Sequence, residues 1–291
     1  GSRDFGADPI SAPPAVLRSV FGLSAGEAAA WMALRDDPES GYADSKALIE
    51  RWHGTGRLGY AITPRFALTS SEAQLAAAGR LAREHPDVWI HTHLAETPQE
   101  VAEAASRHPA SRSYLDIYDR FGLVRERAVF AHCLHTDETD RGCMATKGGA
   151  AAFCPTSNLF LGSGLFDLAA MRGAGVRCGL GTDVGAGTSL SLLQTASEAH
   201  KVLHLRGQAL PAMRALYLAT LGAAEALYLD DEIGNFEPGK EADFVVLDFA
   251  GSPLSARRTA AAATIEEKLF ALLTLADDRS IAATYVLGQR V

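Results

Sequence analysis

The sequence predicts an α/β protein organised as a TIM-type (β/α)8 barrel, with a small β appendage towards its C-terminal end. Two patterns predict this fold class. Short apolar runs alternate with amphipathic helical segments at a spacing close to the roughly 30 residues of a βα unit. Three of these runs end in a residue that can bind a metal, namely His93, His132 and Asp183. Because (β/α)8 barrels carry their active sites at the carboxyl ends of the strands, the second pattern predicts a metal-dependent hydrolase.

The alternation begins after a segment of different character. Residues 1–22 are rich in Pro, Ala and Ser, and they predict coil apart from a short strand over 16–21. Ser24 and Glu27 form a capping box that predicts a helix, and a second helix is predicted from Asp44 to a stop at Gly54. The elements predicted next are the strand 57–66, helix 71–85, strand 88–94, helix 98–106, strand 128–133, helix 136–147, strand 150–154, helix 165–173 and strand 176–182.

The strand count predicts an incomplete barrel. Strand ends fall near Arg65, His93, His132, Thr156 and Asp183. A barrel of this type closes with eight strands, and three further βα units would need about 90 residues. Residues 1–56 are too few and read mainly as helix and coil. We therefore expect strands 4 to 8 of a barrel that this chain does not close by itself. A start at Gly1-Ser2 without methionine is typical of an expression scar or a fragment.

Helices are predicted over 189–203 and 209–228, after the last barrel strand. The stretch IGNFEPGKEADFVVLD then predicts a turn at Pro238-Gly239 and a strand over 244–247. A helix over 265–275 and a strand in ATYVLGQRV follow. The chain is thus divided into an unmatched segment over 1–35, a barrel portion over 36–230, and a β appendage over 231–291 whose helix packs back on the barrel.

Composition excludes some partners. The 291 residues carry a formal net charge of −8, and there is no basic run or aromatic platform of the kind that binds nucleic acid. The apolar runs are shorter than the roughly 20 residues that cross a bilayer, and we expect a cytoplasmic protein that binds neither nucleic acid nor membrane. No CxxC pair occurs, which favours reduced thiols over disulfides or a thiolate zinc site; the four cysteines are Cys133, Cys143, Cys154 and Cys178.

The run HTHLAE places three ionisable side chains within six residues. His91 and His93 face the same side of a strand, with His91 deeper and His93 at the mouth. Glu96 lies just past the strand end, where a carboxylate can move protons between a metal-activated water and a substrate nitrogen. The alternative is a core histidine and a surface glutamate, and HTHLAE alone does not decide between the two.

His132 and Asp183 repeat this placement on other strands. His132 follows four apolar residues in VFAHC, and Asp183 follows the glycine-containing run GLGT. An apolar strand rarely ends in an unsatisfied histidine, and two imidazoles with one carboxylate are a common zinc or iron shell. Taken together, His93, His132 and Asp183 predict a metal site.

Two further features are open to two interpretations. Arg65 and Phe66 in ITPRFA could offer a forked donor and an aromatic face to a planar ligand, or belong to a surface ion pair and the core. His200 and His204 have the i, i+4 spacing of a zinc pair, but they lack the glutamate of HExxH and fit an amphipathic helix. His135 is expected in a loop.

Beyond these single residues, the chain resembles the guanine deaminases of the amidohydrolase superfamily from about Asp36 to Val291. The stretches that carry the resemblance are DSKALIERWHG, YAITPRFALTS, THLAE, FCPTSNLFLGSGLF, GLGTDVGAGTS, YLATLG and IGNFEPGKEADFVVLD. The last of these is shared across the superfamily, whereas PTSNLFLGSGLF with TDVGAGTS is narrower.

The resemblance implies zinc, with iron as the alternative, on His93, His132 and Asp183, and a proton shuttle at Glu96. It implies that Arg65 hydrogen-bonds the purine, that Phe66 packs on its ring, and that Asp183 helps to deprotonate the attacking water. The implied reaction converts guanine and water into xanthine and ammonia, in a homodimer. The base-editor type of deaminase, with H-x-E and P-C-x-x-C, is not matched.

The chain departs from the family pattern at its front. The family carries a His-x-His on the first barrel strand and then a Pro-Gln whose glutamine touches the base, and this sequence has neither. His91 cannot replace that pair because it shares a strand with His93. Two alternatives to guanine deamination therefore stay open: a truncated, non-catalytic relative with a defective metal site, and an amidohydrolase acting on another aminated heterocycle such as a pterin or triazine.

Overall fold

The protein is represented by a computed structural model, and the structure describes residues 37–291. The strand predicted over 16–21 and the helix predicted at Ser24 and Glu27 lie outside this range. Within it, five parallel strands form one sheet in the order β1-β2-β3-β4-β5, which is their order along the chain. Each strand is joined to the next through helices, so the predicted βα repeat is confirmed. The fold is that of a TIM-like α/β barrel portion.

The elements of the barrel portion are as follows. The strands are β1 (Ala61–Ile62), β2 (Trp89–Leu94), β3 (Ala128–His132), β4 (Ala150–Phe153) and β5 (Arg177–Leu180). The helices are α1 (Pro38–Trp52), α2 (Glu72–Glu84), α3 (Pro98–Arg107), α4 (Tyr114–Arg120), α5 (Glu138–Lys147), α6 (Pro155–Leu161), α7 (Leu168–Gly173), α8 (Leu192–Leu205), α9 (Ala212–Ala219) and α10 (Leu221–Leu227).

Helix starts follow the capping chemistry that the sequence contains. Ser71 opens α2 with a capping box to Gln74, and Thr97 opens α3 with one to Glu100. In each box the side chain at either end accepts a backbone N–H of the other, which satisfies two donors that the first helical turn leaves free. The turns that lead from β1 into α2 and from β2 into α3 are therefore fixed locally.

Three differences from the sequence-based elements have local causes. The strand predicted over 57–66 shrinks to the two residues of β1, since the chain pairs with β2 only at Ala61 and Ile62. The helix predicted over 209–228 breaks at Thr220, whose φ of −129° and ψ of −100° are not helical. The short helices α4 and α6 were missed: Ser113 caps the first, and Pro155 starts the second directly after β4.

One face of the sheet is buried beneath the helices, whereas the opposite face is partly open at Trp89, His91 and His93 of β2. Ile62, Ile90 and Phe130 are completely inaccessible to solvent. Helix α10 approaches β5 so closely that a Cβ on Gly179 would lie 2.9 Å from the Cα of Ala223. Glycine is needed at this position for the helix and the strand to pack.

A second sheet of three antiparallel strands forms the C-terminal part. It consists of β6 (Phe244–Leu247), β7 (Ile281–Val286) and β8 (Gln289–Arg290). Two helices, α11 (Pro253–Ala260) and α12 (Ile265–Leu275), lie between β6 and β7. The predicted helix over 265–275 is confirmed, and α11 was missed. Helix α12 packs against α8, where the rings of Phe270 and His200 lie 5.1 Å apart. None of the helices in residues 37–291 is both long and apolar enough to span a membrane.

Two helical glycines give a matched test of packing. A Cβ on Gly79 in α2 would lie 2.1 Å from the carbonyl oxygen of Phe121, whereas a Cβ on Gly142 in α5 would meet no atom within 4 Å. We expect Gly79→Ala to lower the free energy of unfolding by about 1–3 kcal/mol, because backbone must move. Gly142→Ala should leave it unchanged or raise it by up to about 1 kcal/mol. Urea denaturation checks both, and equal effects would contradict the close approach of α2 to residue 121.

Candidate active site

Four side chains predicted to carry chemistry meet at the carboxyl ends of the strands. The rings of His93 and His132 are stacked with their centroids 5.2 Å apart. His132 Nε2 lies 3.5 Å from Glu96 Oε2 and 4.0 Å from Asp183 Oδ2. The register pairs Leu94 of β2 with His132 of β3, and the left-handed backbone of His132, with a φ of 72°, turns its ring out of the strand's alternation towards His93. The pattern of apolar runs that end in ionisable residues therefore locates one compact cluster.

The backbone at these strand ends is unusual. Ala95, His132, Cys133 and Asp183 all have positive φ values, between 46° and 72°. For residues other than glycine this left-handed conformation costs on the order of 1–2 kcal/mol each, and such positions cluster at functional sites. At these ends the chain turns sharply, and the side chains of His132 and Asp183 come to lie in the cluster.

His93 is oriented by the backbone of the neighbouring strand segment. Its Nδ1 lies 2.7 Å from the carbonyl oxygen of Arg65. A carbonyl only accepts hydrogen bonds, so Nδ1 carries the proton and Nε2 keeps a lone pair. The hydroxyl of Tyr118 donates to the carbonyl of His93 at 2.8 Å and accepts from the backbone N–H of Ala67 at 2.9 Å. This tyrosine ties the end of β2 to the loop after β1.

His132 is almost completely buried, with 1 % of its surface exposed. Burial lowers the pKa of its imidazole, against the opposing effect of the Glu96 carboxylate, so the neutral ring is favoured. Its Nδ1 lies 2.9 Å from the amide nitrogen of Asn158. Its Nε2 is buried without a hydrogen-bond partner and faces the two carboxylates.

Glu96 is held at both its backbone and its side chain. Ser163 Oγ donates to Glu96 Oε1 at 2.8 Å, and Glu96 N–H donates to Glu100 Oε2 at 3.0 Å. Burial raises the pKa of Glu100. His135 Nε2 lies 3.1 Å from the carbonyl oxygen of Ser163, which steadies this serine in turn. The remaining oxygen of Glu96 points towards His132.

Arg65 and Phe66 lie beside the histidines. The Phe66 ring centroid is 6.1 Å from that of His93, and the Arg65 guanidinium is 5.8 Å from the Phe66 ring. Arg65 is exposed and Phe66 is half-buried. Both side chains therefore remain at least partly accessible to solvent, next to the histidines.

A family comparison decides where the chain belongs. The model of the amidohydrolase family matches residues 14–291. The chain belongs to the amidohydrolase family. The match begins inside the segment 1–35, for which the sequence alone gave no resemblance.

Within the amidohydrolase family, the chain is similar to guanine deaminases. It is 53 % identical over 258 residues to the guanine deaminase of Escherichia coli, covering 89 % of this chain and 59 % of that protein. It is 45 % identical over 276 residues to a probable guanine deaminase of Deinococcus radiodurans, covering 94 % of this chain and 63 % of that protein. The chain therefore spans about three fifths of the length of these relatives.

Solved structures show the same similarity. The E. coli guanine deaminase superposes with a TM-score of 0.88, covering 89 % of this chain and 60 % of that one. A guanine deaminase from C. acetobutylicum with bound guanine in its active site gives a TM-score of 0.80 at 26 % identity, with 88 % and 61 % covered. An adenosine deaminase from Xanthomonas campestris with bound zinc gives 0.78 at 28 % identity, with 89 % and 57 % covered.

The side chains of the cluster are of the types that bind zinc, the metal bound in the X. campestris structure, but they are not arranged around a common point. His93 offers a free Nε2 lone pair, His132 an unpartnered buried Nε2, and Asp183 a carboxylate, which are zinc ligand types. In residues 37–291, however, no three His, Cys, Asp or Glu side chains are arranged so that they could hold a metal. The i, i+4 rings of His200 and His204 stack 6.0 Å apart and are not such a group.

Other sequence-based expectations have clear outcomes. The four cysteines are free thiols. His91 lies on the same face as His93, with ring centroids 6.4 Å apart. It lines a cavity of about 770 Å³ together with Trp89 and Val129. That cavity begins at the first residues of β2 and β3 and is not lined by His93, Glu96 or Asp183, so it is separate from the candidate active site.

Three residues of the site were missed by reasoning from the sequence. Tyr118, Asn158 and Ser163 hold His93, His132 and Glu96 respectively. The only signal for two of them is the polar Ser-Asn and Gly-Ser-Gly within the otherwise apolar PTSNLFLGSGLF. No signal marks Tyr118, which lies in a helix that was not predicted.

The Tyr118 hydroxyl is expected to contribute measurably to stability. Tyr118→Phe leaves the buried backbone N–H of Ala67 without its partner, and we expect a loss of about 1–3 kcal/mol of unfolding free energy. Tyr42→Phe is the control, because the Tyr42 hydroxyl donates to Glu84 in an exposed pair and water replaces it. Urea titrations of both variants check this. A Tyr118→Phe protein as stable as Tyr42→Phe would contradict the role of the hydroxyl as a tie.

Proposed function

We propose that this chain carries the active site of a guanine deaminase, which hydrolyses guanine to xanthine and ammonia in purine catabolism. The observation that supports this most directly is the cluster of His93, Glu96, His132 and Asp183 at the strand ends, in a chain with 53 % identity to a guanine deaminase. Guanine as substrate is further supported by the similar C. acetobutylicum enzyme with bound guanine.

The proposed zinc ligands are His93, His132 and Asp183, with iron as the alternative metal. A metal held there would lower the pKa of a bound water and so supply a nucleophile at neutral pH. The tautomer of His93 already suits ligation through Nε2, because its Nδ1–H donates to the backbone carbonyl of Arg65. His132 would ligate through Nε2 only if its proton lay on Nδ1, which requires the Asn158 amide to present its oxygen there.

Glu96 is the proposed proton shuttle. Ser163 engages Oε1, which leaves Oε2 turned towards the centre of the cluster. From there the carboxylate can accept a proton from the attacking water and deliver it to a ring nitrogen, while Asp183 assists the first transfer. The water oxygen bonds to C2, and its second proton passes from the new C2 hydroxyl through the Asp183 or Glu96 carboxylate to the exocyclic nitrogen. The bond from C2 to that nitrogen then breaks, ammonia leaves, and C2 keeps the oxygen as the carbonyl of xanthine.

Arg65 and Phe66 are the proposed substrate contacts. A guanidinium that projects beside an aromatic ring can donate to the purine while the ring packs on its face, and both lie next to His93. The cytoplasmic location and the homodimer expected from the sequence stay predictions.

A non-catalytic relative is the second candidate. The observation that favours it is that residues 37–291 contain no closed group of metal ligands. An amidohydrolase for pterins or triazines is the third. Elemental analysis together with ammonia release from guanine, a pterin and a triazine separates the three. Protein without zinc and without ammonia release would overturn the proposed function, and faster turnover of a pterin or triazine would replace its substrate.

Glu96→Gln should lower kcat for ammonia release from guanine by about 10²- to 10⁴-fold, because the amide cannot accept and return the proton. Glu103→Gln is the matched control, since Glu103 is an exposed residue of α3 paired with Arg107. We expect wild-type turnover from the control, measured by a coupled ammonia assay at equal zinc content. A Glu96→Gln protein within threefold of wild type would show that another group transfers the proton.

Arg65→Ala should raise KM for guanine about 10-fold or more, with a smaller change in kcat, because it removes a substrate donor rather than a proton carrier. Arg51→Ala, on the exposed side of α1, serves as the control. Initial-rate kinetics over a range of guanine concentrations decide the matter, and an unchanged KM in Arg65→Ala would remove Arg65 from the proposed contacts.

A further inference from the structure

Asn158 is the polar side chain that contacts His132 on the side away from the carboxylates. Both side chains have 1 % of their surface exposed, and Asn158 Nδ2 lies 2.9 Å from His132 Nδ1. Two buried atoms near this contact have no hydrogen-bond partner, Asn158 Oδ1 and His132 Nε2. A buried polar atom without a hydrogen-bond partner lowers the free energy of unfolding by about 1–3 kcal/mol. The fold therefore keeps this pair of side chains at a cost in stability.

The backbone of Asn158 is fixed by its place at the start of α6. Its N–H donates to the carbonyl of Cys154 at 3.1 Å, and its own carbonyl accepts from the N–H of Ser163 at 2.9 Å. The helix begins directly after β4, next to the end of β3. Asn158 therefore reaches His132 from a rigid position, and the ring plane of His132 follows from where the amide lies.

We propose that Asn158 is the positioning residue of His132, and that its amide determines which ring nitrogen carries the proton. When Nδ2 donates to Nδ1, the single proton of the neutral ring lies on Nε2. When the amide turns by 180°, Oδ1 accepts from Nδ1–H and a lone pair remains on Nε2. The amide fills the same space in both orientations. After the turn, Oδ1, which has no hydrogen-bond partner in the present orientation, would contact His132 Nδ1 in place of Nδ2.

The carboxylates favour the same arrangement as the donating amide in the metal-free protein. Glu96 Oε2 and Asp183 Oδ2 lie 3.5 Å and 4.0 Å from His132 Nε2. Two negative charges favour a proton on the nitrogen that they face, which agrees with an amide that donates from Nδ2 to Nδ1. A cation between the same groups would favour the reverse. An asparagine side chain can either donate a hydrogen bond to Nδ1 or accept one from it. An aspartate carboxylate can only accept one, and a leucine side chain can do neither.

Long-range 1H–15N correlation spectra of the metal-free chain, labelled with 15N-histidine, test this. The spectra are recorded at a pH of about 8, above the ordinary range of histidine, and the His132 signals are assigned by their loss in His132→Gln. The wild type should show a proton on Nε2. Asn158→Asp should show a proton on Nδ1, alone or together with one on Nε2, because aspartate only accepts hydrogen bonds. Asn158→Leu should show a smaller excess of the Nε2-protonated tautomer than the wild type.

Ser157→Ala is the matched control. Ser157 is the preceding buried residue of α6, and its Oγ donates to the carbonyl of Cys154 rather than to His132. It should keep the wild-type pattern. His132 signals that are identical in the wild type, Asn158→Asp and Asn158→Leu would overturn the proposal. If Asn158→Leu does not fold, the comparison with Asn158→Asp decides.

The consequence for turnover rests on the proposed function. Loss of a residue that orients a ligand or a reacting group typically costs 10- to 100-fold, and we expect this in kcat of Asn158→Leu with KM unchanged. If the wild type releases no ammonia from guanine, the proposed function fails while the spectra still decide the role of Asn158. Wild-type kcat in a folded Asn158→Leu protein with altered tautomers would overturn the positioning role in turnover.

Discussion

The parallel register of the five-stranded sheet is the constraint on which the site depends. Because neighbouring strands run in the same direction, their carboxyl ends share one edge. The register brings His132 level with Leu94, and the left-handed backbone of His132 then turns its ring to lie beside that of His93. A shift of one residue between β2 and β3 would turn one ring to the opposite face. The apolar, fully buried residues of the strands prevent that shift, so the core specifies the site.

Bringing two imidazoles and two carboxylates together requires orienting partners. Three of these four groups have such a partner: the Arg65 carbonyl for His93, the Asn158 amide for His132, and the Ser163 hydroxyl for Glu96. Positive φ values at His132 and Asp183 add backbone strain at the same place. This cost is sustained by the surrounding packing, which is the arrangement expected where geometry matters more than local stability.

The sequence predicted the parts of this design that are local. Hydrophobic runs that end in ionisable residues located β2, β3 and β5 and the cluster at their ends, and the helical periodicity located α2 and α12. It overestimated β1, because strand length depends on pairing with β2. The orienting residues were missed because their roles come from folding: Asn158 lies 26 residues from His132, and Ser163 lies 67 residues from Glu96.

The central claim is that the cluster at the strand ends is a metal site. The zinc K-edge X-ray absorption spectrum of the zinc-loaded chain, compared with that of His93→Ala, tests this most directly. We expect a first shell of nitrogen and oxygen only, with outer scattering from imidazole that weakens in the variant. A spectrum with sulfur ligands, or one that His93→Ala leaves unchanged, would contradict the account.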